Sequence, residues 1–275
     1  MQKPLFSVLI ANFNNGKYIA ACLDSVLNQD YLHIEIVIVD DASTDQSLAI
    51  IAPYLNQHHP IKLITNSENQ GVGYTKKRCI DEASGEICGF VDPDDTITPN
   101  AVAAMVSMHQ QHPEASLLYS DYYECDENLR TIGAYQSAQV VNSQAHFFND
   151  EGKIGPFASF KKSSYQKTKG LNTYLKRAID QDLYLKLYDV GECLHLPLKL
   201  YHYRMHANGL ATKAQTNLAY YWFWVVKILR AQDKGINLEQ DFAKTFVRAA
   251  SLKHWIKADQ LFRKSPLYKL FRFFK

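Results

Sequence analysis

No stretch of this 275-residue chain stays apolar long enough to cross a bilayer, which takes roughly 20 residues as a helix. The longest late cluster, LAYYWFWVV, falls well short. The start, MQKPLFSVLIANFNN, has a short apolar run that asparagines break and no small-residue cleavage pattern, so no signal peptide is expected. Cysteine is scarce and unpatterned: five residues, an odd number, without a CxxC pair. That excludes a disulfide framework or a zinc ribbon and fits reduced thiols, hence a cytoplasmic location. Net charge is also small, formally +2, which argues against a nucleic-acid partner. Internal repeats and low-complexity tracts are absent. Glycine is thin after the first apolar run, where ANFNNGKY holds one. A nucleotidyltransferase would carry a glycine-rich loop with Lys or Arg at that point.

What the chain does have is core material, 47% apolar residues, in a regular alternation. FSVLI (6–10) and IEIVIV (34–39) are β-branched runs of the kind buried on both faces of a sheet. Between them Tyr18, Ile19, Cys22, Leu23, Val26 and Leu27 recur at helical spacing. The alternation continues with a helix near 45–55, a strand at 61–65, a helix near 74–84, a strand at 86–91, a helix at 100–111 and a strand at 116–120. Residues 181–191 read as a further helix, and the chain past 212 as helical. The fold class is α/β with an open, mostly parallel central sheet followed by a helical C-terminal region.

In such sheets ligands bind at the carboxyl ends of strands. Asn12 and Asn14 follow the first strand, Asp40 and Asp41 the second, Asn66 and Asn69 the third, and GFVDPDDTITP the fourth. Asp92, Asp94 and Asp95 place three carboxylates within four positions. Their D-x-D spacing on a turn suits Mg²⁺ or Mn²⁺ bridging to phosphates. Asp and Pro also crowd ordinary solvated turns, and both readings stand on the triplet alone.

The order and spacing of FSVLIANFNNGKYIAACLDSVLNQDY, IEIVIVDDASTDQS, NQGVGYTKKRCIDEASGEICGFVDPDD, LKRAIDQDLYLKLYDVG and LYHYRMHANGLA resemble the family 2 glycosyltransferases, over roughly residues 4 to 210. The resemblance implies the GT-A nucleotide-sugar fold and a metal-dependent inverting transferase. It would move a sugar from a nucleotide-sugar donor, a UDP-sugar, to a hydroxyl of a glycan or lipid-linked acceptor in cell-surface polysaccharide synthesis. It also implies the site residues. Asn12, Asn14, Asp40, Asp41, Asn69 and Gly71 would hold the nucleoside part of the donor, although Asp41 and Ser43 are also placed to cap the next helix. Lys76 stands where many relatives have Arg. It keeps the charge for the diphosphate but loses the bidentate fork, and Lys77 and Arg78 beside it fit a solvated helix face equally well. Asp92 and Asp94 would bind the metal, with Asp95 as a further ligand or support, and Asp92 would also contact the donor. Asp180 would be the base that deprotonates the acceptor, with Asp182 as the alternate; both also suit a helix N-terminus. Arg204 and His206 would stabilise the leaving diphosphate. Gly155, Pro156 and Phe157 fall on the acceptor side, where Phe157 stacks on a sugar or belongs to the core.

Residues 1–211 are thus read as the catalytic domain, with 1–122 binding the nucleotide sugar and 123–211 the acceptor, and 212–275 as a helical extension. The tail LFRKSPLYKLFRFFK interleaves apolar and basic residues, as expected either of a helix on an anionic membrane surface or of one packed on the catalytic domain. The competing class is a non-catalytic nucleotide-sugar or glycan-binding module. It requires Asp180 to lie far from the Asp92 cluster.

Overall fold

The computed structural model describes residues 3–56, 60–207, 209, 216–242 and the single positions 257, 260, 261 and 264. Its first half repeats strand and helix: β1 (Phe6–Asn12), α1 (Ile19–Leu27), β2 (Ile34–Asp40), α2 (Ser47–Leu55), β3 (Ile61–Thr65), α3 (Val72–Glu82) and β4 (Ile87–Phe90). Then come β5 (Thr96–Ile97), α4 (Ala101–Gln111), β6 (Ala115–Cys125), β7 (Thr131–Tyr135), β8 (Ala158–Lys161), α5 (Lys162–Tyr165), α6 (Ile179–Tyr188), β9 (Glu192–Arg204), α7 (Thr216–Lys234) and α8 (Glu239–Asp241). Nine strands form one sheet in the order β3-β2-β1-β4-β8-β6-β9-β5, with β7 paired to β6. Strands β1, β2, β3 and β4 are mutually parallel, and β6 and β9 run the same way. Strands β5, β7 and β8 run against them. The mostly parallel sheet expected from the alternation is present, and the antiparallel strands enter in the second half.

Period-two patterning explains the layers. Phe6, Val8 and Ile10 of β1 and Ile36 and Ile38 of β2 bury on one face against α1, α2 and α4, through Ile19, Cys22, Leu23, Val26, Ile51, Val102 and Met105. Leu9, Val37 and Val39 bury on the other face with Cys79 and Ile80 of α3 and Ile179 and Leu183 of α6. A parallel sheet covered on both sides needs continuous apolar strands, which FSVLI and IEIVIV supply. All five cysteines are buried free thiols.

Strand β9 does not stand out in the sequence because Pro197 interrupts it, and proline is excluded from a regular central ladder. Here the register with β6 slips between Ser120↔Leu196 and Asp121↔Lys199, so the proline sits in an irregularity. The Phe157 reading resolves toward the core. Its ring is fully buried, stacks on Tyr201 at 6.2 Å between centroids and lies 6.5 Å from Phe6. Gly155 is buried as well and Pro156 partly so, which leaves this segment no free aromatic face for a sugar.

The chain divides into two compact units, 1–226 and 227–275, with the boundary inside α7. No helix among the described residues is long and apolar enough to cross a membrane. Apart from positions 261 and 264, the tail LFRKSPLYKLFRFFK lies outside the described residues.

Phe157→Ala should therefore lower the free energy of unfolding by about 3–5 kcal/mol in urea titrations, the cost of emptying a fully packed aromatic site. An unchanged unfolding midpoint would show that the ring contributes little to the core.

Candidate functional site

The parallel ladder continues past the strand ends and ties the first loops together. Asp41 N donates to Asn12 O at 2.8 Å and Asn66 N to Asp40 O at 2.8 Å. Asp40 is fully buried. It accepts from Asn12 Nδ2 (2.7 Å), Ser43 N (2.8 Å) and Ser43 Oγ (2.6 Å). It therefore orders the turn instead of facing a ligand. Asp41, 3% exposed, accepts from Asn66 Nδ2 (2.6 Å), Gln70 N (2.9 Å) and Gly71 N (2.8 Å). It pins the loop into α3, where Gly71 at φ 88° takes a conformation that glycine alone adopts without strain. Exposed Asn14 joins the β1–α1 and β2–α2 loops, its Oδ1 accepting from Thr44 N at 2.8 Å and Asp45 N at 3.2 Å. Asn69 is exposed beside this group. Arg78, which the sequence left open, donates to Asn66 Oδ1, while Lys77 pairs with Asp81 on the helix surface.

The acidic turn follows β4. Lys76 Nζ reaches Asp92 Oδ1 at 2.8 Å and lies 4.9 Å from the Phe90 ring centre. Burial pulls the Lys76 ammonium pKa down, but Asp92, helped by Asp180, outweighs it and leaves it above the ordinary lysine value. Burial, then the charge of Asp92, raises the carboxyl pKa of Asp94, against an opposing contact of 2.9 Å from His206 Nε2 to Asp94 Oδ2. Asp95 is 2% exposed and commits both oxygens. Oδ2 accepts from Tyr201 Oη at 2.7 Å and Oδ1 from Arg204 N at 2.6 Å. Burial and its two acidic neighbours push the Asp95 pKa well above the carboxylate range. Tyr201 Oη also accepts from Asp92 N at 3.2 Å.

Arg204 completes this corner. Nε donates to Asp94 O at 2.5 Å and Nη1 to Glu127 O at 2.7 Å, and the guanidinium lies 4.8 Å from the Tyr18 ring centre. The His206 ring is 4.7 Å from the same ring. Tyr18 Oη donates to Glu127 Oε1 at 3.0 Å, and Glu127 pairs with Lys17. Arg204 Nη2 and His206 Nδ1 are buried without a partner among the described residues. Buried polar atoms rarely stay unpaired, so a ligand or an ordered water is the natural partner for these two.

Helix α6 brings Asp180. The chain enters it through Ala178 at φ 55°, a left-handed position that costs a non-glycine residue strain. Solvent reaches Asp180. Protein nevertheless surrounds it closely enough that desolvation raises its carboxyl pKa, which the Lys76 charge lowers and Asp92 raises in turn. Base candidate, lysine and acidic turn thus share one electrostatic environment. Asp182 cannot serve as the alternate base: it is 4% exposed and accepts from Asn172 N (2.9 Å), Asn172 Nδ2 (2.8 Å) and Lys186 Nζ (2.8 Å).

Among the described residues no group of three or more His, Cys, Asp or Glu side chains could hold a metal. Asp92 Oδ2 and Asp94 Oδ1 carry no hydrogen bond there, while Asp95 is spent on Tyr201 and Arg204. Two hard carboxylate oxygens would fit a cation such as Mg²⁺ or Mn²⁺ that draws its other ligands from phosphate and water, and Asp95 would then support the turn. Sequence reasoning placed Tyr18 only in a helix pattern and did not single out Glu127 or Tyr201. Only their long-range contacts, 70 or more residues apart in the chain, reveal them.

Residues 7–169 match the family model described as glycosyl transferase family 2. Chondroitin synthase of Escherichia coli is 27% identical over 210 residues, covering 76% of this chain but 30% of that protein. Among solved structures, S. aureus TarS 1–349 in complex with UDP-GlcNAc superposes with a TM-score of 0.69 at 23% identity, over 90% of this chain and 75% of that one. A mannosyltransferase from Pyrobaculum calidifontis in complex with GDP-Man and Mn²⁺ gives 0.59 at 16% identity, over 98% and 84%. The expected GT-A fold is the fold observed.

The raised pKa of Asp95 has a measurable consequence. A carboxyl whose folded pKa exceeds its unfolded value of about 3.9 contributes stability below that value and loses it as pH rises through the folded pKa. Asn does not titrate, so Asp95→Asn should gain stability relative to wild type as pH rises above about 4 in urea unfolding. A difference independent of pH would contradict the buried, repelled carboxylate.

Proposed function

Since the chain belongs to glycosyl transferase family 2, we propose that it transfers a sugar, with inversion, from a UDP-sugar to a hydroxyl of a glycan or lipid-linked acceptor. Residues 1–211 would form the catalytic domain and 212–275 an extension. The product would be a cell-surface polysaccharide, made at the cytoplasmic face of a membrane that the basic, aromatic tail approaches. The observation that carries the transferase reading is the acidic turn after β4, with Lys76 Nζ on Asp92 at 2.8 Å and His206 Nε2 on Asp94 at 2.9 Å, within electrostatic reach of Asp180. The chondroitin synthase relative and the UDP-GlcNAc complex of TarS support the donor class.

The loops pinned by Asp40 and Asp41 present backbone and amide groups to the nucleoside. Arg204 Nη2, buried and unpaired, meets the diphosphate where charge develops as the sugar leaves. Lys76, released from Asp92 as the donor enters, adds a second positive charge on the α3 side. Asp180 takes the proton from the acceptor hydroxyl, which attacks the anomeric carbon from the face opposite the diphosphate. Its raised pKa makes the carboxylate a stronger base than an ordinary aspartate, as general base catalysis requires. A divalent cation held by Asp92 and Asp94 would supply the charge that neutralises the diphosphate.

A panel of nucleotide sugars incubated with Mn²⁺, Mg²⁺ or EDTA tests this reading. Slow release of a nucleoside diphosphate from one donor is expected, lost with EDTA and in Asp94→Asn. Failure of every donor both to react and to bind would overturn it and favour a non-catalytic module.

A further inference from the structure

Gly73 lies buried in the first turn of α3 without a left-handed φ, so its backbone does not need glycine. Glycine inside a helix is disfavoured against alanine. The reason for it here is what stands above it. A Cβ at position 73 would lie 2.7 Å from the carbonyl oxygens of Thr173 and Leu175 and 2.9 Å from that of Asn172. All three are backbone atoms, which cannot swing aside as a side chain would. Segment 172–175 therefore rests on the bare Cα of Gly73.

The same segment is tied to α6. Asn172 N and Nδ2 donate to the two carboxylate oxygens of Asp182, and Lys186 Nζ bridges Asp182 to Gly170 O at 2.8 and 2.6 Å. Leu171 N donates to Tyr165 Oη at 3.0 Å, and Leu171 and Leu175 are buried. Asp182 stands two residues after Asp180 on α6. Lys76 stands three residues after Gly73 on α3. Gly73, segment 172–175 and Asp182 form a bracket that fixes how closely α6 approaches α3. Segment 172–175 and Asp182 lie beyond the residues matched by the family model, which end at 169.

We propose that Gly73 is a positioning residue: the missing Cβ seats segment 172–175 on α3 and thereby places the Asp180 carboxylate at the acceptor hydroxyl, without Gly73 touching substrate. This rests on the assignment of Asp180 as base. A methyl at position 73 lifts the segment and carries α6 with it, while the Asp40 and Asp41 loops that hold the nucleoside stay in place.

The test uses the full chain with Gly73→Ala, Gly73→Val and Asp182→Asn. Each is read by kcat, donor affinity by calorimetry, Tm, and amide hydrogen exchange over 171–182. Displacing a catalytic group by about 1 Å costs on the order of 10²-fold in rate, so kcat should fall by about ten- to a hundredfold in Gly73→Ala and further in Gly73→Val. Donor affinity should stay unchanged, and exchange should quicken over 171–182 but not over 34–41. Wild-type kcat in Gly73→Ala, or a raised Tm with unaltered exchange over 171–182, would overturn the proposal. If the wild type itself neither bound nor turned over a donor, the transferase reading would fall. The exchange measurement would then still decide whether the seat exists, and unaltered exchange would reject it.

Discussion

Three carboxylates in four residues repel one another, and the structure depends on how that repulsion is held. The answer comes from the far end of the chain. Strand β9 delivers Tyr201 Oη and Arg204 N to the two oxygens of Asp95 and His206 to Asp94. Each bond satisfies an oxygen that burial would otherwise leave unpaired, and removing one partner brings back that cost. The turn is thus preorganised, with Asp95 spent on holding the shape and one oxygen each of Asp92 and Asp94 left for ligands.

That clamp also joins the two halves of the sheet. The parallel half, β1 to β4, arranges the nucleoside loops because its strands end in register, Asn12 opposite Asp40 and Asp40 opposite Thr65. The mixed half holds the acidic turn that follows β4 and, through α6, presents the base candidate Asp180. Arg204 links them most directly, touching Asp94 O, Glu127 O and the Tyr18 ring at once. Its Nη2 is buried without a partner among the described residues and is free to donate to a ligand or a water.

The parallel half was legible in the sequence because its signals are local. β-branched runs, helical spacing and polar residues at strand ends report directly on a covered parallel sheet. The acidic turn was legible for the same reason, whereas Lys76 was picked out only by the resemblance to relatives that carry Arg there. What was hidden depends on contacts distant in sequence. Pro197 masked β9 by breaking its pattern at a register slip. Phe157 looked available for a sugar until its neighbours Phe6 and Tyr201 were placed around it. Asp182 was indistinguishable from Asp180 by type and spacing, and only its bonds to Asn172 and Lys186 assign it to the frame. Gly73 carries no signal in a single sequence, since its meaning lies in three carbonyls a hundred residues away.

The claim on which the account turns is that Asp180 supplies the base to a donor held by other residues. Single-turnover transfer and donor binding should be compared between wild type and Asp180→Asn, once a donor is in hand. Donor affinity should be preserved and the transfer rate should fall by about 10²–10⁴-fold, the usual contribution of a positioned general base. Transfer at the wild-type rate in Asp180→Asn would contradict the account.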